Sequence, residues 1–263
     1  MEHMEWWGWG EESTTFSHED KPALAPFVKE KVGIDCDAGS SSVIDFDQLE
    51  IVTPVVTDEL RGALVAALGE EWVTDEPMER VVHTYGKSIR DLVRIRRGDL
   101  GRLPDLIAYP GDEADVVQLA LVHDAVIIPF GGGTNISGSL EAPRGERRTV
   151  ISVDMGRMDR VLEIDTTSNT ARIQAGALGP ALEEQLNRTG WTIGHFPDSF
   201  NHSTLGGWIA TRSSGMQSDK YGDIADLTRA VRVVTPHGIL ATRNVSSSST
   251  GPSVREMVLG SEG

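Results

Sequence analysis

Cysteine is almost missing from this chain of 263 residues. Cys36 is the single one, so no internal disulfide can form and nothing indicates an oxidising compartment. Positive charge is scarce as well. Lys and Arg number 24 against 40 Asp and Glu, for a formal net charge of -16 and a pI near 4.8. A field of that sign repels nucleic acid and anionic lipid, which argues against a polyanion-binding role. The 7 histidines show no H-E-x-x-H spacing and one cysteine cannot make C-x-x-C, so no metal site is expected. No apolar run approaches the roughly 18 residues of a membrane span. The first residues, MEHMEWW, are acidic and lack the basic-then-apolar profile of a signal peptide. A cytoplasmic protein with no transmembrane segment is the expectation. Hydrophobic residues make up 39% and charged residues 24%, enough apolar mass for a packed core.

What is present changes character along the chain. Residues 1–50 are rich in Gly, Ser, Asp and Glu without a sustained period and read as an irregular arm. Within it, Trp6, Trp7 and Trp9 are costly to leave in water, so this segment should dock on a body or a partner. Residues 57–102 read as helical. Thr57 with Asp58 and Glu59 makes a helix start, and Leu60, Leu64, Ala67 and Leu68 fall on one face. Ser88 precedes a shorter helix bearing Arg90, Arg94, Arg96 and Arg97, the one basic cluster, read as a solvated face that pairs with carboxylates. From 103 onward, short strands alternate with helices: strands near 106–109, 125–130 and 149–153, hairpins over 160–175 and 227–242, and helices near 112–122, 180–188, 204–212 and 254–259. The run 246–251 reads as a mobile loop. This is an α+β pattern with a division into 1–102 and 103–263.

A glycine loop, Gly131-Gly132-Gly133-Thr134-Asn135, follows directly on the apolar strand ending in Pro129 and Phe130. Such a loop can cradle phosphate, because glycines let the backbone approach closely and consecutive N–H groups can point at one oxygen. A P-loop needs a lysine after its second glycine, and no lysine lies between Lys87 and Lys220. A Rossmann site needs a third glycine where Ile136 stands, followed by a helix. Asp154 imitates the ribose-binding acid, but residues 137–145 are too broken by Gly and Pro for that helix. What remains is a loop that holds a pyrophosphate through backbone groups and the Thr134 hydroxyl. A second run of small donors and acceptors spans Asp198, Ser199, Phe200, Asn201, His202, Ser203 and Thr204. It leads through Leu205-Gly206-Gly207-Trp208 to Thr211, Arg212, Ser213 and Ser214. Three donor-rich loops flanked by glycine suit an extended, doubly phosphorylated ligand.

In the order PFGGGTN (129–135), HFPDS (195–199), STLGGW (203–208), TRSSG (211–215) and YGDIADL (221–227), the chain resembles the FAD domain of the vanillyl-alcohol-oxidase superfamily. Within that superfamily it is most similar to the alkyldihydroxyacetonephosphate synthase branch. The segment 7–10, WGWG, is similar to that branch's tryptophan motif, and 250–253 and 260–263 resemble its closing FAD segment. The resemblance implies a p-cresol-methylhydroxylase-type domain of two α+β subdomains, preceded by a helical N-terminal region. It implies noncovalent FAD, with the pyrophosphate on 129–135 and segments 198–204, 211–214 and Glu262 along the rest. No histidine lies in 129–138, where some relatives attach the flavin. It further implies exchange of the acyl group of acyl-dihydroxyacetone phosphate for a fatty alcohol, with flavin N5 as a covalent handle and no net redox change. The phosphorylated lipid precursor would meet a cap domain expected beyond residue 263, together with the catalytic residues, and a homodimer is left open.

Two other readings stand beside this one: an FAD-dependent 2-hydroxyacid dehydrogenase or oxidase, and a truncated FAD-binding or interaction module without activity. His195 and His202 flank the second loop and are read as hydrogen-bonded to structure or cofactor. Arg212 is left between a FAD phosphate and a carboxylate partner. Tyr221 and Trp208 are read as packing aromatics. Cys36, between Asp35 and Asp37, is disfavoured as a thiolate.

Overall fold

A computed structural model describes residues 4–10, 21–36, 38, 43–121, 124–245 and 248–263. The chain opens with α1 (Leu24–Val32), α2 (Asp58–Leu68), β1 (Val73–Thr74), α3 (Pro77–Val82) and α4 (Ile89–Arg96). Next come β2 (Leu106–Ala108), α5 (Glu113–Ala120), β3 (Ala125–Phe130) and β4 (Thr149–Asp154). The second half holds β5 (Val161–Asp165), β6 (Thr170–Ile173), α6 (Gly179–Asn187), α7 (Leu205–Thr211), α8 (Ser218–Tyr221) and α9 (Ile224–Leu227). It closes with β7 (Arg232–Thr235), β8 (Gly238–Ala241) and α10 (Val254–Val258). The α+β class read from the sequence is the class observed.

The main sheet has the order β1-β2-β4-β3, with β2, β4 and β3 parallel and β1 antiparallel at one edge. Strand β4 is therefore central, and its apolar run is buried on both faces, as parallel strands require. Helices α2 and α5 pack against the sheet through Leu64, Leu119, Leu106, Ile151 and Val153. A second core gathers Val81, Tyr85, Ile95, Leu100 and Leu103 under the N-terminal arm. A third joins the β5–β6 hairpin to α6, α7 and α9 through Leu182, Leu186, Leu205, Trp208 and Ile224. The β7–β8 hairpin returns to α5, where Arg232 makes a two-pronged ion pair with Glu113 at 2.7 and 2.8 Å.

The caps at Thr57 and Ser88 form as read. Thr57 Oγ1 accepts from Leu60 N at 3.2 Å and Ser88 Oγ from Asp91 N at 3.1 Å. Two members of the arginine cluster pair with a carboxylate as read: Arg94, largely covered, grips Glu141 at 2.8 and 3.0 Å, and Arg90 reaches the same carboxylate at 3.3 Å. The tryptophan segment docks. Trp6 meets Phe46 edge-on at 5.7 Å, and Arg96 Nε donates to the Trp7 carbonyl at 2.9 Å. Lys87 donates to the Glu5 carbonyl at 2.8 Å, and burial pushes its ammonium down to about 8.

Three expectations are corrected. The arm is not wholly irregular, because residues 24–32 form α1, stopped by Gly33 at φ 76. Its Ala, Leu, Lys and Glu are good helix formers hidden between polar flanks. On α2, Ala67 faces solvent and Val65 packs inward instead. The span 57–102 also contains a strand, β1, too short for any period to show. Its pairing with β2, Val73 opposite Ala108 and Thr74 opposite Ile107, carries the main sheet across the division expected at 102/103. In the loop read over 246–251, Ser246 and Ser247 lie outside the described residues.

A carboxylate that carries no motif ties this sheet together. Asp105, fully buried, accepts from Val55 N at 2.9 Å and Val150 N at 2.8 Å and pairs with Arg102. Removing it would strand two N–H groups and leave the Arg102 guanidinium, which also donates to the Leu103, Glu146 and Arg148 carbonyls, without its carboxylate. Asp105→Ala is expected to destabilise the protein by about 3–5 kcal/mol, read as a fall in chemical-denaturation midpoint, whereas the exposed Asp58→Ala should stay within about 1 kcal/mol.

Candidate functional site

The glycine loop and the second donor run come together through backbone. A β-carbon built on Gly132 would lie 1.5 Å from the carbonyl oxygen of His202 and 3.1 Å from Ser203 Cα, so only glycine fits there. On its other side the loop is held by the N-terminal region. Lys87 N donates to the Asn135 carbonyl at 2.7 Å, and a β-carbon on Gly86 would sit 1.9 Å from that same oxygen. The chain's last residues arrive at the loop's far end. Glu262 accepts from Ser137 Oγ at 2.8 Å and Asn135 Nδ2 at 3.3 Å, while its own N–H donates to Ala210 O at 2.8 Å.

These segments line one open cleft of about 2030 Å³. Pro129, Phe130, Gly131, Gly132, Gly133, Thr134 and Asn135 all border it. From the second run Asp198, Ser199, Ser203 and Thr204 border it, and further on Thr211, Ser213 and Glu262 do. Phe200, Asn201, His202, Arg212 and Ser214 stand off the lining. Phe200 turns inward and stacks on Trp208 with centroids 6.2 Å apart. Asn201 and Ser214 are exposed, and His202 supplies the carbonyl against Gly132. Arg212, in the left-handed conformation that ends α7, pairs with Glu256 at 2.9 Å. Several lining hydroxyls are already committed to the scaffold. Ser203 accepts from Trp208 Nε1 at 2.6 Å and donates to Ser199 O at 2.9 Å, and Thr211 donates to Gly207 O at 2.9 Å.

Sequence reading passed over other residues at this site. Trp9, Ser137 and the exposed Arg160, Arg172 and Arg229 also border the cleft. Ser137 sits two positions past the loop and could have been found by extending it. The arginines lie outside any motif. Beneath the loop, His83 is buried with both ring nitrogens on acceptors, Glu79 O at 2.7 Å and Asp154 Oδ2 at 3.0 Å. Its ring lies 4.1 Å from that of Phe130. Tyr109 donates to Glu79 Oε2 at 2.6 Å, and burial together with that carboxylate holds its phenol above the usual range. Asp154 is thus a buried support for the loop. No sequence signal links it to His83, 71 residues away.

A family profile described as FAD binding domain matches residues 104–243. The chain belongs to the FAD binding domain family. Its cofactor is FAD. An alkyldihydroxyacetonephosphate synthase of Dictyostelium discoideum is 40% identical over 100% of this chain and 47% of its own length. One from Trypanosoma brucei brucei is 46% identical over 80% of this chain and 35% of its own. A solved structure of an alkyldihydroxyacetonephosphate synthase superposes with a TM-score of 0.88 at 38% identity, covering 99% of this chain and 52% of that one. The chain therefore spans about half the length of the relatives it matches.

The geometry of this FAD binding domain suits the cofactor. Among the described residues, the backbone N–H groups from Gly131 to Ile136 donate to no protein acceptor, and all six residues border the cleft. A row of unspent donors in an acidic chain is what an anionic ligand needs. Across the cleft, His195 is buried to 1% exposure, with Nε2 2.8 Å from Ser213 Oγ. Burial lowers its pKa from the ordinary 6.5.

Gly132→Ala is expected to lower the melting temperature of flavin-free protein as well as FAD retention, because the clash is with backbone; circular dichroism of the apoprotein checks this. An unchanged apoprotein melt would contradict the contact. For His195 the unfolded chain takes up the proton first, so stability should fall as pH drops below about 6.5. The slope between pH 7 and 5 should be shallower in His195→Gln, measured by denaturant titration at each pH.

Proposed function

We propose that this chain is the cofactor-holding portion of a flavoenzyme of the alkyldihydroxyacetonephosphate synthase type, binding FAD without a covalent bond. Gly131–Asn135 take the pyrophosphate. Asp198, Ser199, Ser203, Thr204, Thr211, Ser213 and Glu262 line the remainder of the cofactor. The observation that carries this reading is the meeting of all three donor-rich segments and Glu262 at one cleft where the loop's N–H groups are unspent. When bound, FAD supplies an isoalloxazine ring able to take up and return electron pairs. The protein's part is to fix that ring through the pyrophosphate of the cofactor and to orient it with the hydroxyl-lined wall. In the whole protein the reaction would replace the acyl group of acyl-dihydroxyacetone phosphate by a fatty alcohol. Catalytic side chains for that exchange would come from outside the cofactor site described above.

Support for a synthase over a 2-hydroxyacid dehydrogenase comes from the N-terminal region. The likeness to the Dictyostelium discoideum synthase runs through the whole chain, including the docked tryptophan segment and α2–α4. A shared cofactor fold alone would account only for the part around the cleft.

The purified chain is expected to show flavin absorption bands that pass wholly into the supernatant after heat denaturation. A colourless protein that also fails to take up added FAD would overturn the proposal. The flavin is expected to stay oxidised when lactate or glycolate is added; bleaching would transfer the assignment to the dehydrogenase reading.

A further inference from the structure

His195 presents a buried polar atom that the cofactor site so far leaves unexplained. Its Nδ1 has no hydrogen-bond partner among the described residues, while Nε2 faces Ser213 Oγ at 2.8 Å. The ring is held edge-on to Trp208 at 5.1 Å, so it cannot swing to find another partner without disturbing the third core. Ser213 borders the cleft, and His195 is the only partner of its hydroxyl among the described residues.

The neutral ring has two tautomers. With the proton on Nδ1, a buried N–H would be left without an acceptor, and Nε2 would accept from the serine. With the proton on Nε2, only a lone pair goes unmatched, and orphaned buried N–H groups are the rarer of the two in folded proteins. The second arrangement is therefore favoured. Lowering of the ring's pKa by burial keeps it neutral at physiological pH. In that state Ser213 Oγ already accepts a hydrogen bond from the protein, and its own proton has nowhere to go but the cleft.

We infer that His195 is a positioning residue: by donating from Nε2 it sets Ser213 as a hydrogen-bond donor into the cleft, where the serine selects an acceptor oxygen of the bound cofactor, phosphate or carbonyl. This rests on the FAD reading above and adds to it a directional contact from a second segment of the cleft lining. The role needs the pair. Serine without histidine is a free rotor that can turn its lone pairs to the ligand as readily as its proton, and histidine without serine touches nothing in the cleft.

The test is an equilibrium titration of flavin-free protein with FAD, followed by flavin fluorescence, with apoprotein melts recorded in parallel. Ser213→Ala is expected to bind FAD about tenfold more weakly, the loss of one hydrogen bond, with an unchanged melt. His195→Phe should show a similar loss, and the double variant no more than either single one, because both remove the same contact. His195→Gln, whose side-chain amide can still donate, should recover most of the affinity. Wild-type affinity in Ser213→Ala would overturn the inference. So would a His195→Phe loss that is undiminished in the Ser213→Ala background, or a His195→Gln as weak as His195→Phe with an intact melt. Should His195→Phe fail to fold, Ser213→Ala and His195→Gln decide the question by themselves. A wild-type chain that takes up no FAD overturns this inference and the functional reading together. Unaltered FAD binding by Ser213→Ala beside a wild type that binds overturns this inference alone.

Discussion

The site depends on one backbone contact. At Gly132 the loop after β3 presses against the carbonyl of His202 so closely that no side chain can intervene. That contact fixes the distance between the two walls of the cleft, and the parts on either side are built to keep it. On one side, β4 lies buried between β2 and β3, and Asp154 at its end holds His83 under Phe130. On the other, Ser203 is locked by Trp208 and Ser199, so the segment facing the loop has little freedom. A glycine chosen for contact with protein can look in sequence like a glycine chosen for contact with phosphate. In this loop Gly132 does the first, while the N–H groups around it remain available for the second.

Much of this was legible because it is local. The caps at Thr57 and Ser88, the apolar strands and the hairpins each declare themselves within a few residues. The α+β class and the cleft-lining motifs follow from them. What stayed hidden is non-local or too short to have a period. The two residues of β1 read as part of a helical region because a strand of that length shows no alternation. Asp105, His83 and Asp154 sit in stretches without motif, and their meaning lies in partners that only the fold supplies. Phe200 and His202 are counted with the donor run by their neighbours in sequence, although the turn at Pro197–His202 sends the one into the core and the other against Gly132. Arg212 was open between anion and carboxylate, and its partner among the described residues is Glu256.

Electrostatics shape the same site. With a net charge of -16, the chain as a whole repels a dianionic cofactor. At physiological ionic strength such repulsion fades over about 8 Å, so what matters is the first layer around the cleft. There, the carboxylate of Glu262 is turned onto Ser137 and Asn135 and that of Glu113 onto Arg232, while Arg160, Arg172 and Arg229 stand along the border with Asp112, Glu163, Asp165 and Asp198. Most other arginines of the surface are spent on carboxylates, as Arg94, Arg144, Arg188 and Arg232 are. The acidic composition and an anion site are compatible because the donors are placed by backbone geometry and a few uncommitted cations.

The two-residue strand β1 has a wider consequence. The stretch that carries the family signature, 104–243, begins at β2, whose outer edge pairs with Val73 and Thr74 of the preceding region, extended by Trp72, whose carbonyl accepts from Tyr109 N. A fragment cut to the signature would bare that edge together with the apolar faces of Leu106 and Ala108, and an uncapped parallel strand recruits other chains. The residues ahead of the signature thus close an edge that the signature by itself would leave open.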